Sequence, residues 1–233
     1  MADILRFLGY GAAFNPMLGN TSAYFEKDNN LYLIDCGELV FHKLYEKDLL
    51  NEYENIYVLI THMHADHIGS LGSLISYTYF VMKKKITVIH PNNKLVLLLD
   101  LTGIDREAYN IKVCNEIEID EISIKAIHVK HADDMECYGY IITNSEGTIY
   151  YSGDSYEIPE MVLKAFFNNE IDRIYQDTTE KVSAHRSHFP LEELAEIIPV
   201  GFRNKVFCMH FSSDFSESIY KLGFSDVTKL AEL

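Results

Sequence analysis

The sequence predicts an α+β fold in which sheets pack face to face and helices cover the outer faces. Three observations lead there. Short β-like runs alternate with helical patterns along the whole chain. The strands fall into two halves, each with helices at its periphery, the pattern expected of two sheets in contact. No Pro/Gly/Ser-rich linker, low-complexity tract or short-period repeat interrupts the chain, so residues 1–233 read as a single domain.

Taken in order, "ILRFLGYG" (4–11) is strand-like and ends in glycines. "TSAYFEK" (21–27) and "LYLIDCG" (31–37) form a hairpin across "DNN". "ELVFHKLYEKDLL" (38–50) spaces Leu39, Leu44 and Leu49 or Leu50 as a helix does. "IYVLI" (56–60) is a buried strand, and "HIGSLGSLISYTYFVMKK" (67–84) a helix with a mostly apolar face. "KITVIHP" (85–91) is a strand and "NKLVLLLDL" (93–101) a short helix. The strands "EIEI" (116–119), "EISIKAIHV" (121–129), "YGYIIT" (138–143) and "TIYYSGD" (148–154) follow. Then come a helix "IPEMVLKAFFNN" (158–169), a strand "IDRIYQD" (171–177), a helix "PLEELAEIIP" (190–199) and a last buried strand "NKVFCMHF" (204–211).

Composition narrows the function. A hydrophobic content of 48% supports a sizeable core. The formal charge of −15 repels a phosphate backbone, so long nucleic acid and anionic membranes are poor default partners. A small anion stays possible, because bound metal can reverse the sign locally. The basic run "KKK" (83–85) reads as a solvated helix end. No apolar run spans a bilayer, and the N-terminus lacks the basic start and long apolar stretch of a signal peptide. Cys36, Cys114, Cys137 and Cys208 are scattered without a C-x-x-C pair, which suits reduced thiols in a cytoplasm.

The chemistry concentrates in "THMHADHIGS" (61–70), where three histidines and an aspartate occupy six positions. Residue frequencies would produce H-x-H-x-D-H by chance in about one chain in a thousand. The cluster lies just past a buried strand. His62 and His64, two apart, can point the same way from an extended segment, while Asp66 and His67 at the turn can face a second ion. Imidazole with carboxylate suits zinc, with iron or manganese also possible. Later strand ends offer His128 or His131, Asp154 and His210. Together these supply seven ligands, enough for two ions bridged by one carboxylate.

"THMHADHIGS", His131, "YSGD" and "CMHFSS" resemble the successive motifs of the metallo-β-lactamase fold, over nearly the whole chain. The resemblance implies an αββα sandwich with two central mixed sheets and a dinuclear site at one edge. It implies His62, His64 and His131 on one Zn2+ (Mn2+ or Fe2+ being possible), and Asp66, His67 and His210 on the other, with Asp154 bridging. "FLGYGAAFNPMLGNTSAYF", "LIDCGE" and "MHFSSD" look most like the tRNase Z-like phosphodiesterase branch. That branch carries a further, phosphate-contacting histidine ahead of a helix; His188 before "FPLEEL" fits best, with His185 as competitor.

The chain departs from the tRNA-processing enzymes in one place. Their flexible arm lies between the third histidine ligand and the bridging aspartate, whereas here His131 and Asp154 are only 23 residues apart. In the opening "LGYGAAFNPMLGNTSAYF" above all, the chain resembles the phage and bacterial cyclic-mononucleotide phosphodiesterases that counter Pycsar immunity. That resemblance implies a homodimer, a small cyclic nucleotide as substrate, and the host cytoplasm if a phage encodes it. Asp66 would orient the nucleophile and His188 would stabilise charge or protonate the leaving oxygen. "DCGE" (35–38) would support the site, Asn20 and Thr21 would face substrate, and Tyr138 and Tyr140 are candidates for base stacking. His42 and His90 read as structural. The alternatives are an arm-less RNA 3′-endonuclease, a lactone, thioester or β-lactam hydrolase, and a non-catalytic nucleotide-binding protein.

Overall fold

The structure, a computed structural model, describes residues 5–181 and 186–231. The first sheet contains β1 (Arg6–Gly9), β2 (Ser22–Lys27), β3 (Asn30–Ile34), β4 (Asn55–Leu59), β5 (Thr87–His90) and β6 (Asn110–Val113), in that order. β1, β2 and β3 are antiparallel neighbours, and β3 to β6 are parallel. The second sheet contains β7 (Glu116–Ile119), β8 (Ile122–Val129), β9 (Cys137–Asn144), β10 (Gly147–Tyr151), β11 (Arg173–Thr179), β12 (Phe189–Pro190), β13 (Val206–Met209) and β14 (Ser225–Asp226). Its order is β14-β13-β11-β10-β9-β8-β7, with β12 paired to β11. It runs antiparallel from β7 to β10 and parallel from β10 to β14.

Period-two alternation builds three apolar layers. On β3, Tyr32 and Ile34 face the second sheet, while Leu31 and Leu33 face the helices α1 (Val40–Glu46), α3 (Leu71–Phe80) and α4 (Lys94–Leu101). On the second sheet, Tyr175 and Met209 face inward. Ile174, Val206 and Cys208 pack outward with α5 (Glu160–Phe167), α6 (Leu191–Ile197) and α7 (Ser216–Lys221). The result is the expected αββα sandwich.

Local chemistry explains several joints. Lys27 pairs with Asn30, so the β2–β3 hairpin turns on Asp28 and Asn29, both at positive φ (48° and 64°), the requirement of a tight two-residue hairpin turn. The helix expected over 67–84 is broken into α2 (Ala65–Ile68) and α3. Ser70 donates its N–H to the Cys36 carbonyl instead of continuing the α2 ladder, and its hydroxyl accepts from Phe41 N–H. The lysine run follows the end of α3: Lys83 caps Phe80 O and Lys84 reaches Tyr53 O. β6, β14 and α7 lie outside the elements read from sequence; β6 ("NIKV") is a largely exposed edge strand with little apolar periodicity to betray it.

This topology positions the site. β3, β4, β8, β10, β11 and β13 all point their C-terminal ends to one edge of the sandwich, and the segments leaving them carry the histidines and aspartates. Ligand groups gather at such an edge in open sheets because turns are free to present side chains there.

Candidate metal centre

Three imidazoles converge first. His62 Nε2 lies 2.9 Å from His64 Nδ1, and His131 Nε2 lies 3.2 Å from the same atom. Tetrahedral donors about 2.05 Å from zinc stand about 3.3 Å apart, so the spacing suits one ion. A second group is Asp66, His67, Asp154 and His210, all buried. His67 Nε2 is 3.3 Å from both Asp66 Oδ2 and Asp154 Oδ1, and His210 Nε2 is 3.3 Å from Asp154 Oδ2. Asp154 also reaches the first group, its Oδ2 lying 3.6 Å from His131 Nε2 and 3.9 Å from His62 Nε2. Of the two candidates at the end of β8, His131 just beyond the strand enters the site, while His128 within it is exposed beside Tyr138.

Three of the ring nitrogens turned away from the centre are held by other groups. His67 Nδ1 donates to Asp35 Oδ2 at 2.8 Å, His131 Nδ1 donates to Ser187 O at 2.8 Å, and His62 Nδ1 sits 3.1 Å from Thr61 Oγ1. Asp35 also accepts from Thr61 N–H and Thr61 Oγ1–H, each at 2.8 Å. Such partners fix tautomer and ring orientation, leaving the inner nitrogens as lone-pair donors. The support expected of "DCGE" therefore comes from Asp35. His210 and Asp35 hold positive φ (66° and 64°), sparsely populated conformations that turn both side chains at the strand ends.

Electrostatics test whether cations fit. Asp35, Asp66, Asp154 and Asp177 are buried together, and among the described residues no lysine or arginine lines the cavity. Burial opposes charge on His210, yet Asp154, Asp177 and Asp66 outweigh it and push its imidazole up to about 10. His67 is likewise driven up, against burial, by Asp154 and Asp35. Burial and the charge of His67 push His62 down, toward the neutral ligand form. His67 Nε2 and Asp154 Oδ1 are buried with no hydrogen-bond partner. Lone orphans of this kind, facing one another amid excess negative charge, fit divalent cations.

His188 sits beside both groups, its ring 5.2 Å from His131 and stacked 5.0 Å from His210. Its Nδ1 donates to Asp177 Oδ2 at 2.7 Å, and the Asp177 charge raises its pKa above the ordinary value. Asp177 escaped the sequence reading; its place near the end of strand "IDRIYQD", on the edge that carries the candidate ligands, was the available signal. Thr61 was missed likewise. His185 lies outside the described residues.

The cavity above the centre holds about 680 Å³ and is lined by Ala12, Ala13, Phe14, Glu38, Ala65 and Ala132 besides the polar groups named above. Asn20 and Thr21 lie behind this wall: Asn20 Oδ1 accepts from Leu39 N–H at 2.8 Å, and Thr21 Oγ1 donates to Gly11 O at 3.0 Å. Their short polar side chains tie loops together and do not line the cavity. Tyr138 and Tyr140 are buried, Tyr140 donating to Ile60 O at 2.7 Å, so the stacking suggested for them is overturned. His42 is exposed near Glu46, and His90 is buried against Ile60 O.

The backbone matches solved structures closely. The metallo-beta-lactamase fold protein YhfI from Bacillus subtilis gives a TM-score of 0.76 at 15% identity, covering 95% of this chain and 93% of that one. The short form of human tRNase Z gives 0.66 at 19% identity, covering 89% and 92%. The chain thus has the metallo-β-lactamase fold, with a candidate metal centre of clustered histidines and aspartates at the sheet edge. It belongs to the family of Anti-Pycsar protein Apyc1, whose profile matches residues 4–102 and 105–232. The Apyc1 of Bacillus phage BSP38 is 27% identical over 245 residues, covering 94% of this chain and 93% of the phage protein.

Proposed function

We propose that the protein hydrolyses 3′,5′-cyclic mononucleotides to linear monophosphates with two divalent ions, Zn2+ by the donor set. The observation that carries this reading is the cavity itself. It is of small-molecule size, within the usual 300–1,000 Å³ or so, and offers an anionic phosphodiester no cationic lysine or arginine among the described residues. Most of the charge for the phosphate would then come from ions in the histidine–aspartate cluster, with protonated His188 beside them. His62, His64 and His131 would hold one ion, and Asp66, His67 and His210 the other, with Asp154 between them. When bound, the ions supply a hydroxide nucleophile near neutral pH and offset phosphate charge.

The chain's own groups complete the reaction. Asp66 accepts a hydrogen bond from the attacking water and orients it in line with the leaving ribose oxygen. Protonated His188, steadied by Asp177, gives its Nε2 proton to that oxygen. Between His131 and Asp154 the chain makes only the β9–β10 hairpin, which supports a small substrate over tRNA. The name of the phage relatives points the same way. A homodimer in the host cytoplasm belongs to the same reading.

The test is turnover of cAMP, cGMP, cCMP and cUMP by metal-loaded protein, beside a 3′-extended tRNA, with His64→Ala as control. Cyclic-nucleotide opening that the variant loses supports the proposal. tRNA cleavage without it supports the RNA endonuclease instead. Sedimentation of the same sample tests the dimer.

A further inference from the structure

Phe14 is fully exposed, unusual for a large apolar side chain on a wall of the cavity. Among the described residues it is the one phenylalanine or tyrosine on that wall. Its backbone is nonetheless held firmly. Asn15 N–H closes a turn onto Ala12 O at 2.9 Å. Ala12 N–H donates to Phe211 O at 3.0 Å, and Asn15 Nδ2 donates to Ser212 O at 3.2 Å. Gly11 also bridges Phe211. The turn carrying Phe14 is therefore tied to the residues that follow His210. Its neighbours Ala12 and Ala13, and Ala65 and Ala132 elsewhere on the wall, leave room for a flat ring.

We propose that Phe14 is the base-stacking residue of the site: the nucleobase of a cyclic nucleotide lies on its ring while the phosphate sits over the histidine–aspartate cluster. This rests on the phosphodiesterase reading above. An aromatic face pairs with the π-face of any base and reads no hydrogen-bond pattern, so the site accepts all four bases. It favours purines, whose larger face covers more of the ring.

The experiment compares wild type, Phe14→Ala and Phe14→Tyr on cAMP, cCMP and a base-free analogue, methyl riboside 3′,5′-cyclic phosphate. The proposal expects Phe14→Ala to raise KM for cAMP roughly 10- to 100-fold, the size of one lost stack. Phe14→Tyr keeps the wild-type KM, the base-free analogue is turned over equally by all three, and the purine preference shrinks in Phe14→Ala. An unchanged KM for cAMP in Phe14→Ala overturns the proposal and leaves the phosphodiesterase reading intact. Equal losses on cAMP and on the base-free analogue, with a lower sedimentation coefficient, would assign Phe14 to an interface between copies and also overturn it. Absence of any cyclic-nucleotide turnover by wild type contradicts the reading of the site and this proposal with it.

Discussion

Asp177 Oδ2 lies 2.7 Å from His188 Nδ1, and Asp177 Oδ1 lies 3.5 Å from His210 Nδ1, so one buried carboxylate joins the candidate acid to a candidate ligand. Burial works against its charge, but His188 holds its carboxyl below the ordinary value. The pair explains why His188, outside the two groups assigned to ions above, is oriented toward the cavity.

The first prediction follows from the sign of that coupling. Asp177 raises the His188 pKa, so a step needing protonated His188 fails as pH climbs through that raised value. Asp177→Asn removes the charge and lowers the His188 pKa. The alkaline limb of kcat/KM against pH should move to lower pH, with an overall loss of about 10²-fold or more. A limb that stays in place would mean His188 is not the acid.

Asp35 anchors His67 Nδ1 and Thr61 from beneath the site. Asparagine tolerates its positive φ, so Asp35→Asn tests charge and hydrogen bonding with little backbone penalty. Losing such a partner weakens metal binding by about 10- to 100-fold. Competition with a chelator of known affinity measures it; unaltered affinity would show that Asp35 serves folding alone.

Metal removal should destabilise the fold. Ions bound to the native state at about 1,000 times their Kd contribute about 4 kcal/mol. Their loss leaves Asp66 and Asp154 buried beside Asp35 and Asp177. Thermal unfolding with and without chelator should show a clear drop in Tm, restored by adding zinc. Equal Tm values would contradict cation binding at this cluster.

Gly37 passes so close to α2 that a Cβ there would collide with the Asp66 carbonyl oxygen. Gly37→Ala should cost about 1–3 kcal/mol, as overpacking does, and displace Asp66 from its partners. Denaturant unfolding and metal content of the folded variant check both effects. Wild-type stability with full metal content would refute the close approach.

The candidate ligands were legible because their chemistry is local: H-x-H-x-D-H packs four donors into six positions, and Asp154 and His210 each follow an apolar run. Strand pattern was equally readable, since both faces of the inner strands are buried. Asp177 and Thr61 were not legible, because an outer partner is defined by what lies across the sheet edge. Asn20 misled for the complementary reason: a polar residue in a glycine-rich loop suggested substrate, while its amide oxygen serves the Leu39 N–H. Phe14 carried no periodic signal, standing in a turn whose position depends on Phe211 and Ser212 almost 200 residues later.

The most direct measurement is ³¹P NMR of cAMP in ¹⁸O-enriched water with metal-loaded protein, beside His64→Ala. The account predicts that the cyclic diester resonance gives way to a monophosphate carrying one ¹⁸O, in the wild type and not in the variant. A cyclic resonance that persists while the same sample cleaves a 3′-extended tRNA would contradict it.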